Sequence, residues 1–360
     1  MHTLDRGTAD LSAPSAAAGT VPRPPGGGLA ARVGGHAWKA AVVLAVVGGG
    51  LWTATHGVAG VTWSDVADVL RGVTPGRLGL LAAIWLGGLG IYSMVLTAAL
   101  PGLGVRRSIL LNLSGSAVAN VVPLGGAVAT AMNWRMVRMW GHSNRSFVTF
   151  CVLTNALDVS TKLLLPLVGV ATFVALSLHV PAALWVVAGS CAAALGRLLL
   201  AQALALRPPV DGQAPRSRWR ARVRDQLRDS SSRIRGLLSV GWTRLLPGSF
   251  GYIAAQVLLL LVSLRSVGLD VPVSTVLMAA GIERLGTLIP ITPGGTGVAE
   301  IGTIAWLVAC GLDPVEVVAG VLLYRVFLIA MEIPVGAVLL GWWAWLQRTS
   351  STRRADEVPG

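Results

Sequence analysis

Nine ionisable side chains fall within or beside long apolar stretches of this chain: Arg135, Arg138, Asp158, Lys162, Glu283, Arg284, Glu300, Arg325 and Glu332. An ion at the centre of a hydrocarbon layer costs about 2.5–3.5 kcal/mol on insertion scales, so such residues pair, face a wet cavity or serve a function. Asp158 and Lys162 are four apart, which puts both on one helical face as an intramembrane charge pair with Asn155 nearby. The pair reads equally as self-neutralised structure or as a proton or ion site. Glu283 and Arg284 are adjacent and point to different faces, so each needs a partner on another helix. Glu300 stands one turn beyond Gly297, where a returning half-helix starts; its carboxylate either caps that N-terminus or takes part in binding. Arg325 carries a planar guanidinium suited to two-pronged phosphate recognition. Its structural alternative is an ion pair with Glu332, seven residues and about two turns further on the same face.

The elements that must hold these residues are apolar. Of 360 residues, 54% are hydrophobic and only 12% charged, with a mean hydropathy of +0.68, against the roughly 25% charge of soluble domains. A soluble enzyme is excluded, and runs of about 20 apolar residues match a hydrocarbon core of about 30 Å. Full spans are expected at 38–55, 78–99, 147–178, 183–206, 249–267 and 316–346, the third tilted or bent at Pro166. Two further stretches are interrupted: 109–140 by Pro123-Leu124-Gly125-Gly126, and 273–311 by Pro290-Ile291-Thr292-Pro293-Gly294-Gly295-Thr296-Gly297. Proline removes a helical donor and glycine frees the backbone, so each helix breaks there. The freed backbone groups must be buried in protein or line a cavity. Gly125, Gly126, Gly294, Gly295 and Gly297 are thereby candidates for close approach to a ligand, with helix packing as the alternative. Gly87, Gly88 and Gly90 suit packing better.

Charge sets the orientation. The net charge of +13 arises from 29 Lys+Arg against 16 Asp+Glu, and the arginines cluster between spans. If 109–140 dips in and out on one side, Arg106, Arg107, Arg135, Arg138 and Arg145 all stay on the cytoplasmic face. The expected organisation is a cytoplasmic disordered tail (1–36), a first membrane half (37–206), an Arg-rich cytoplasmic loop (207–248), a second membrane half (249–346) and a cytoplasmic tail (347–360). The loop carries eight arginines between 216 and 235, with Trp219, Val223, Leu227, Ile234 and Leu238 at near-helical spacing. It reads as a basic amphipathic helix on anionic inner-leaflet lipid. Nothing in it suggests base readout, so nucleic acid is not an expected partner. Span, broken hairpin and long span occur twice, with the breaks about 170 residues apart and entering from opposite faces, the pattern of an inverted-topology repeat.

Cys151, Cys191 and Cys310 lie in apolar segments with no paired spacing, and the five histidines form no metal or catalytic motif. No cofactor, metal or enzymatic constellation is expected.

The block from Ile289 to Glu300, followed by Leu323-Tyr324-Arg325, and the block Asn120-Val121-Val122-Pro123-Leu124-Gly125-Gly126 resemble the lysylphosphatidylglycerol synthase transmembrane (flippase-like) family over roughly residues 38–346. The resemblance implies an all-α polytopic fold that moves a phospholipid, phosphatidylglycerol-type or aminoacylated, between leaflets of the plasma membrane. The family's larger members add a cytosolic aminoacyltransferase domain, for which this chain has no counterpart after its last span. Members often carry an acidic residue just after the first glycine pair, where this chain has Ala127-Val128-Ala129. The substrate-binding candidates on these blocks are Asn120, Pro123, Gly125, Gly126, Pro293, Gly294, Gly295, Gly297, Glu300, Tyr324 and Arg325, to which the charges at membrane depth add Arg135 and Glu332. Two readings from other classes stand beside this one: a scaffold that docks a cytosolic lipid-modifying enzyme, and a carrier for a small solute.

Overall fold

The computed structural model describes residues 61–121, 125–176, 180–206, 218–288 and 297–356; the expected tail and first span lie outside them. Among the described residues every regular element is helical: α1 (Trp63–Arg71), α2 (Pro75–Ala99), α3 (Val105–Val121), α4 (Gly125–Met139), α5 (Asn144–Ala175), α6 (Ala182–Leu206), α7 (Arg218–Ser266), α8 (Val273–Gly286), α9 (Val298–Ala309), α10 (Pro314–Arg325), a widened π turn (Val326–Ala330) and α11 (Glu332–Asp356). Within these, five stretches are long and apolar enough to cross a bilayer: Pro75–Ala99, Asn144–Ala175, Ala182–Leu200, Gly241–Ser266 and Pro314–Gln347. Helices satisfy their own backbone groups, which is why an apolar chain of this kind folds as an all-α polytopic membrane protein.

Each interrupted stretch forms two helices packed on each other, α3 with α4 and α8 with α9. At 1.5 Å per residue, the 14- and 12-residue arms of the second pair measure about 21 and 18 Å, short of the ~30 Å core. The breaks themselves, residues 122–124 and 289–296, lie outside the described residues. Pro166 does not interrupt α5, which runs unbroken through it. The Arg-rich segment, expected as a separate loop, is helical from Arg218 and continues without a break into the following span as α7. Arginine is a strong helix former, so the helix has no reason to stop before the apolar run begins.

Spans α2 and α7 pack antiparallel. Arg77 Nη1 donates to the Ser266 carbonyl at 2.8 Å, completing the C-terminus of α7. Further along, a methyl on Gly88 would meet Ala255 Cβ at 3.5 Å, and one on Gly248 would meet Val95 Cγ2 at 2.7 Å. The first arm of each hairpin packs on the long span of the other half. Gly336 of α11 presses on the Leu113 backbone of α3, and Gly169 of α5 presses on Met278 of α8. Close helix approach through glycine is how membrane helices gain dispersion contact without a hydrophobic driving force. Of the three glycines expected to pack α2, only Gly88 does so; Gly87 and Gly90 have nothing within 4 Å of a built Cβ.

Candidate functional site

The polar interior has two parts. The first is an ion cluster on the second hairpin. Arg325, in the last turn of α10, lies 3.1 Å from Glu283 Oε1 on α8 through Nη1 and 2.9 Å from Glu300 Oε1 on α9 through Nε. Glu283 also faces its neighbour Arg284 at 3.2 Å, and Arg284 donates to Gln256 of α7. The Arg325, Glu283 and Glu300 side chains are 9%, 2% and 3% exposed. Two carboxylates and two guanidiniums cancel, which removes most of the cost of placing four ions in an apolar interior. Glu300 does two jobs, because its Oε2 also accepts the Gly297 backbone N–H at 2.6 Å. That bond closes the N-terminus of α9, where Gly297 sits at φ 97°, a conformation suited to glycine.

Arg325 does not pair with Glu332. In an ideal α-helix the two would share a face, but the intervening π turn holds more residues per turn and rotates Glu332 away. Glu332 is buried at the start of α11. Tyr324 is buried on α10 next to Arg325.

The second part is a cavity of about 330 Å³ between α2, α3, α4 and α5, within the roughly 300–1,000 Å³ typical of small-ligand sites. Asn112 and Ser116 of α3, Thr130 and Asn133 of α4, and Thr154 and Asn155 of α5 supply its polar wall; Tyr92, Phe147 and Phe150 supply apolar area. A smaller cavity of about 30 Å³, large enough for a water or two, shares Tyr92 and Thr154 with it and is lined also by Asp158, Lys162, Gln256 and Arg284. Lys162 and Asp158 are paired at 2.8 Å, the carboxylate side chain 48% exposed. Asn155 stands apart from that pair and donates to the Cys151 carbonyl.

The sequence-derived candidates therefore separate. Arg325, Glu300, Tyr324 and Gly297 gather at the second hairpin, and none of them lines either cavity. Gly126 lines the large cavity, whereas its neighbour Gly125 faces the hairpin partner: a methyl there would lie 2.4 Å from the Ala119 carbonyl oxygen. Asn120 is half-buried near the end of α3, and Arg135 is exposed on α4. Pro123, Pro293, Gly294 and Gly295 lie outside the described residues. Sequence reading missed Asn112, Ser116, Thr130, Asn133 and Thr154, because neutral polar residues in an apolar helix raise no charge signal. The pairs Asn112/Ser116 and Thr130/Asn133, at four- and three-residue spacing inside a broken helix, are the signal that was available.

Among the described residues no group of acidic, histidine and cysteine side chains is arranged to hold a metal ion. A model of the family described as the lysylphosphatidylglycerol synthase TM region matches residues 39–336. No curated protein matches the chain.

Proposed function

Since the chain belongs to the lysylphosphatidylglycerol synthase transmembrane family, a family of membrane proteins associated with lipid handling, we propose that it moves a phospholipid between the leaflets of the plasma membrane. The observation that carries this reading is the polar cavity of about 330 Å³ set among apolar spans. It offers hydrogen-bonding groups at a depth where a lipid headgroup otherwise meets none, while acyl chains remain in the bilayer. Counting along α3, Ser116 lies nine residues, or about 13 Å, beyond Arg107, so the wall reaches well below the basic end of the hairpin.

Arg325 does not hold the phosphate in this reading, because both edges of its guanidinium that meet described neighbours meet carboxylates. Its cluster ties α8, α9 and α10 into one unit. Lys162 lines the adjoining small cavity and, while paired with Asp158, has two further N–H donors to offer a phosphate. Antiparallel α2 and α7, and the exchanged packing of α3 on α11 and α8 on α5, support an inverted repeat whose halves rock about the site. With the clustered arginines on the cytoplasmic side, both termini lie inside.

The test is a dithionite-quench assay on proteoliposomes bearing fluorescent lipids. Accelerated loss of protected fluorescence relative to protein-free vesicles is expected. No acceleration for any lipid, from folded and inserted protein, would return the chain to a scaffold role.

A further inference from the structure

The large cavity is polar but carries no formal charge. Among the described residues lining it there is no Asp, Glu, Lys or Arg; its polar wall is built from amides and hydroxyls. The state of those groups narrows what they bind. Thr130 Oγ1 already donates to the Gly126 carbonyl at 2.7 Å, Thr154 Oγ1 to the Phe150 carbonyl at 2.8 Å, and Asn155 Nδ2 to the Cys151 carbonyl at 2.8 Å. The two threonines are therefore left with acceptor oxygen, and Asn155 with its Oδ1 acceptor and one remaining N–H. Asn133 Oδ1 is a further acceptor, buried with no hydrogen-bond partner among the described residues, and an unmatched buried acceptor costs free energy until a donor arrives.

An ammonium headgroup supplies donors, but it would enter with a full charge and meet no compensating carboxylate in the wall. The nearest candidates lie elsewhere. Asp158 is paired with Lys162 outside the large cavity, and Glu332, buried at the start of α11, does not line it. An uncompensated ion in such a place is disfavoured. A hydroxyl carries no charge, donates to the waiting oxygens and accepts from asparagine amides. Several hydroxyls on one small frame would use the wall most fully.

We propose that the cavity seats an uncharged, polyhydroxylated headgroup, the glycerol or sugar-ring moiety of a phospholipid, and discriminates against ammonium headgroups. This rests on the lipid-translocation reading for its biological setting, but binding is measured separately from movement.

The experiment is native mass spectrometry of the purified full chain in detergent, titrated with acyl-matched phosphatidylglycerol, phosphatidylinositol, phosphatidic acid, phosphatidylethanolamine and lysylphosphatidylglycerol. Phosphatidylglycerol or phosphatidylinositol is expected to bind at least several-fold more tightly than the other three, and whichever of the two leads identifies glycerol or ring. Phosphatidic acid separates hydroxyl recognition from simple anion binding. In Asn133→Leu the preference is expected to collapse to the level of phosphatidic acid, and in Asn133→Asp it is expected to swing toward the lysylated lipid. Thr130→Val, isosteric and on an exposed helix position, is the fallback if Asn133 variants misfold, and should weaken polyol binding at unchanged thermal stability. Equal or tighter binding of an ammonium lipid by the unaltered protein, or an unchanged preference in both Asn133→Leu and Thr130→Val, overturns the proposal. A polyol preference without accelerated scrambling would sustain the seat and defeat translocation; scrambling of every lipid alike would do the reverse.

Discussion

Arg325 Nε stands 2.9 Å from Glu300 Oε1, and this single contact links the last turn of α10 to the first turn of α9. Because the same carboxylate caps α9 through the Gly297 N–H, the entry geometry of the second hairpin and the position of α10 depend on one side chain. Buried ion pairs contribute little net energy when intact, since desolvation offsets attraction, but breaking one strands its partner.

Replacing Arg325 should accordingly be expensive and repairable. Arg325→Leu leaves Glu283 and Glu300 buried with Arg284 as their sole described cationic neighbour, and the expected loss is about 3–5 kcal/mol of stability. Adding Glu300→Gln, which removes one stranded charge while keeping an acceptor for Gly297, should restore part of it. Thermal unfolding in detergent reads both. A double variant no more stable than the single one would show that the cluster does not act through charge compensation.

The pair on α5 should behave in the opposite way. Asp158 and Lys162 neutralise one another one turn apart on the same span, so removing both charges together strands neither in the apolar layer. Neutralising both together, as Asp158→Asn with Lys162→Met, is expected to leave stability unchanged or raise it. Lipid scrambling should nevertheless fall severalfold if Lys162 meets the phosphate. Unchanged scrambling would remove Lys162 from the path.

The two glycines after the first break make a sharper comparison. Gly125 faces the Ala119 backbone at a distance no methyl tolerates, whereas Gly126 opens on the cavity with nothing within 4 Å of its Cβ position. Gly125→Ala should spread the hairpin and lower the unfolding temperature. Gly126→Ala should hold or raise stability by up to about 1 kcal/mol through reduced backbone entropy while narrowing the ligand space. Equal thermal effects in the two variants would mean that the hairpin tip relaxes freely.

Spans such as α2 and α5 were legible because an apolar run of more than twenty residues has few alternatives, and both broken helices were legible because proline and glycine act locally. The partner of Arg325 was not. Counting residues assumes a constant 3.6 per turn, and the π turn at Val326–Ala330 alters the phase between Arg325 and Glu332; its marker in the sequence is Pro334, which has no N–H to offer the Ala330 carbonyl. Glu283 became its partner only through packing of α8 and α10 around α9. The cavity was hidden for a related reason: Asn112, Asn133 and Thr154 come from three helices, and each alone resembles a tolerated polar residue.

Cys151 gives a direct view of that cavity. It lines the large space and is half-buried, whereas Cys191 is buried elsewhere and Cys310 is exposed. With Cys191→Ala and Cys310→Ser in place, a membrane-impermeant thiol reagent should modify Cys151 slowly, at a rate set by access through the cavity mouth. A short-chain polyol phospholipid that occupies the seat should cut that rate severalfold, and its ammonium counterpart should leave it unchanged. The Gly126→Ala background should slow modification even without lipid, since the added methyl projects into the same space. If neither lipid nor methyl alters the rate, the reagent reaches Cys151 by another route and the cavity is not the ligand's path.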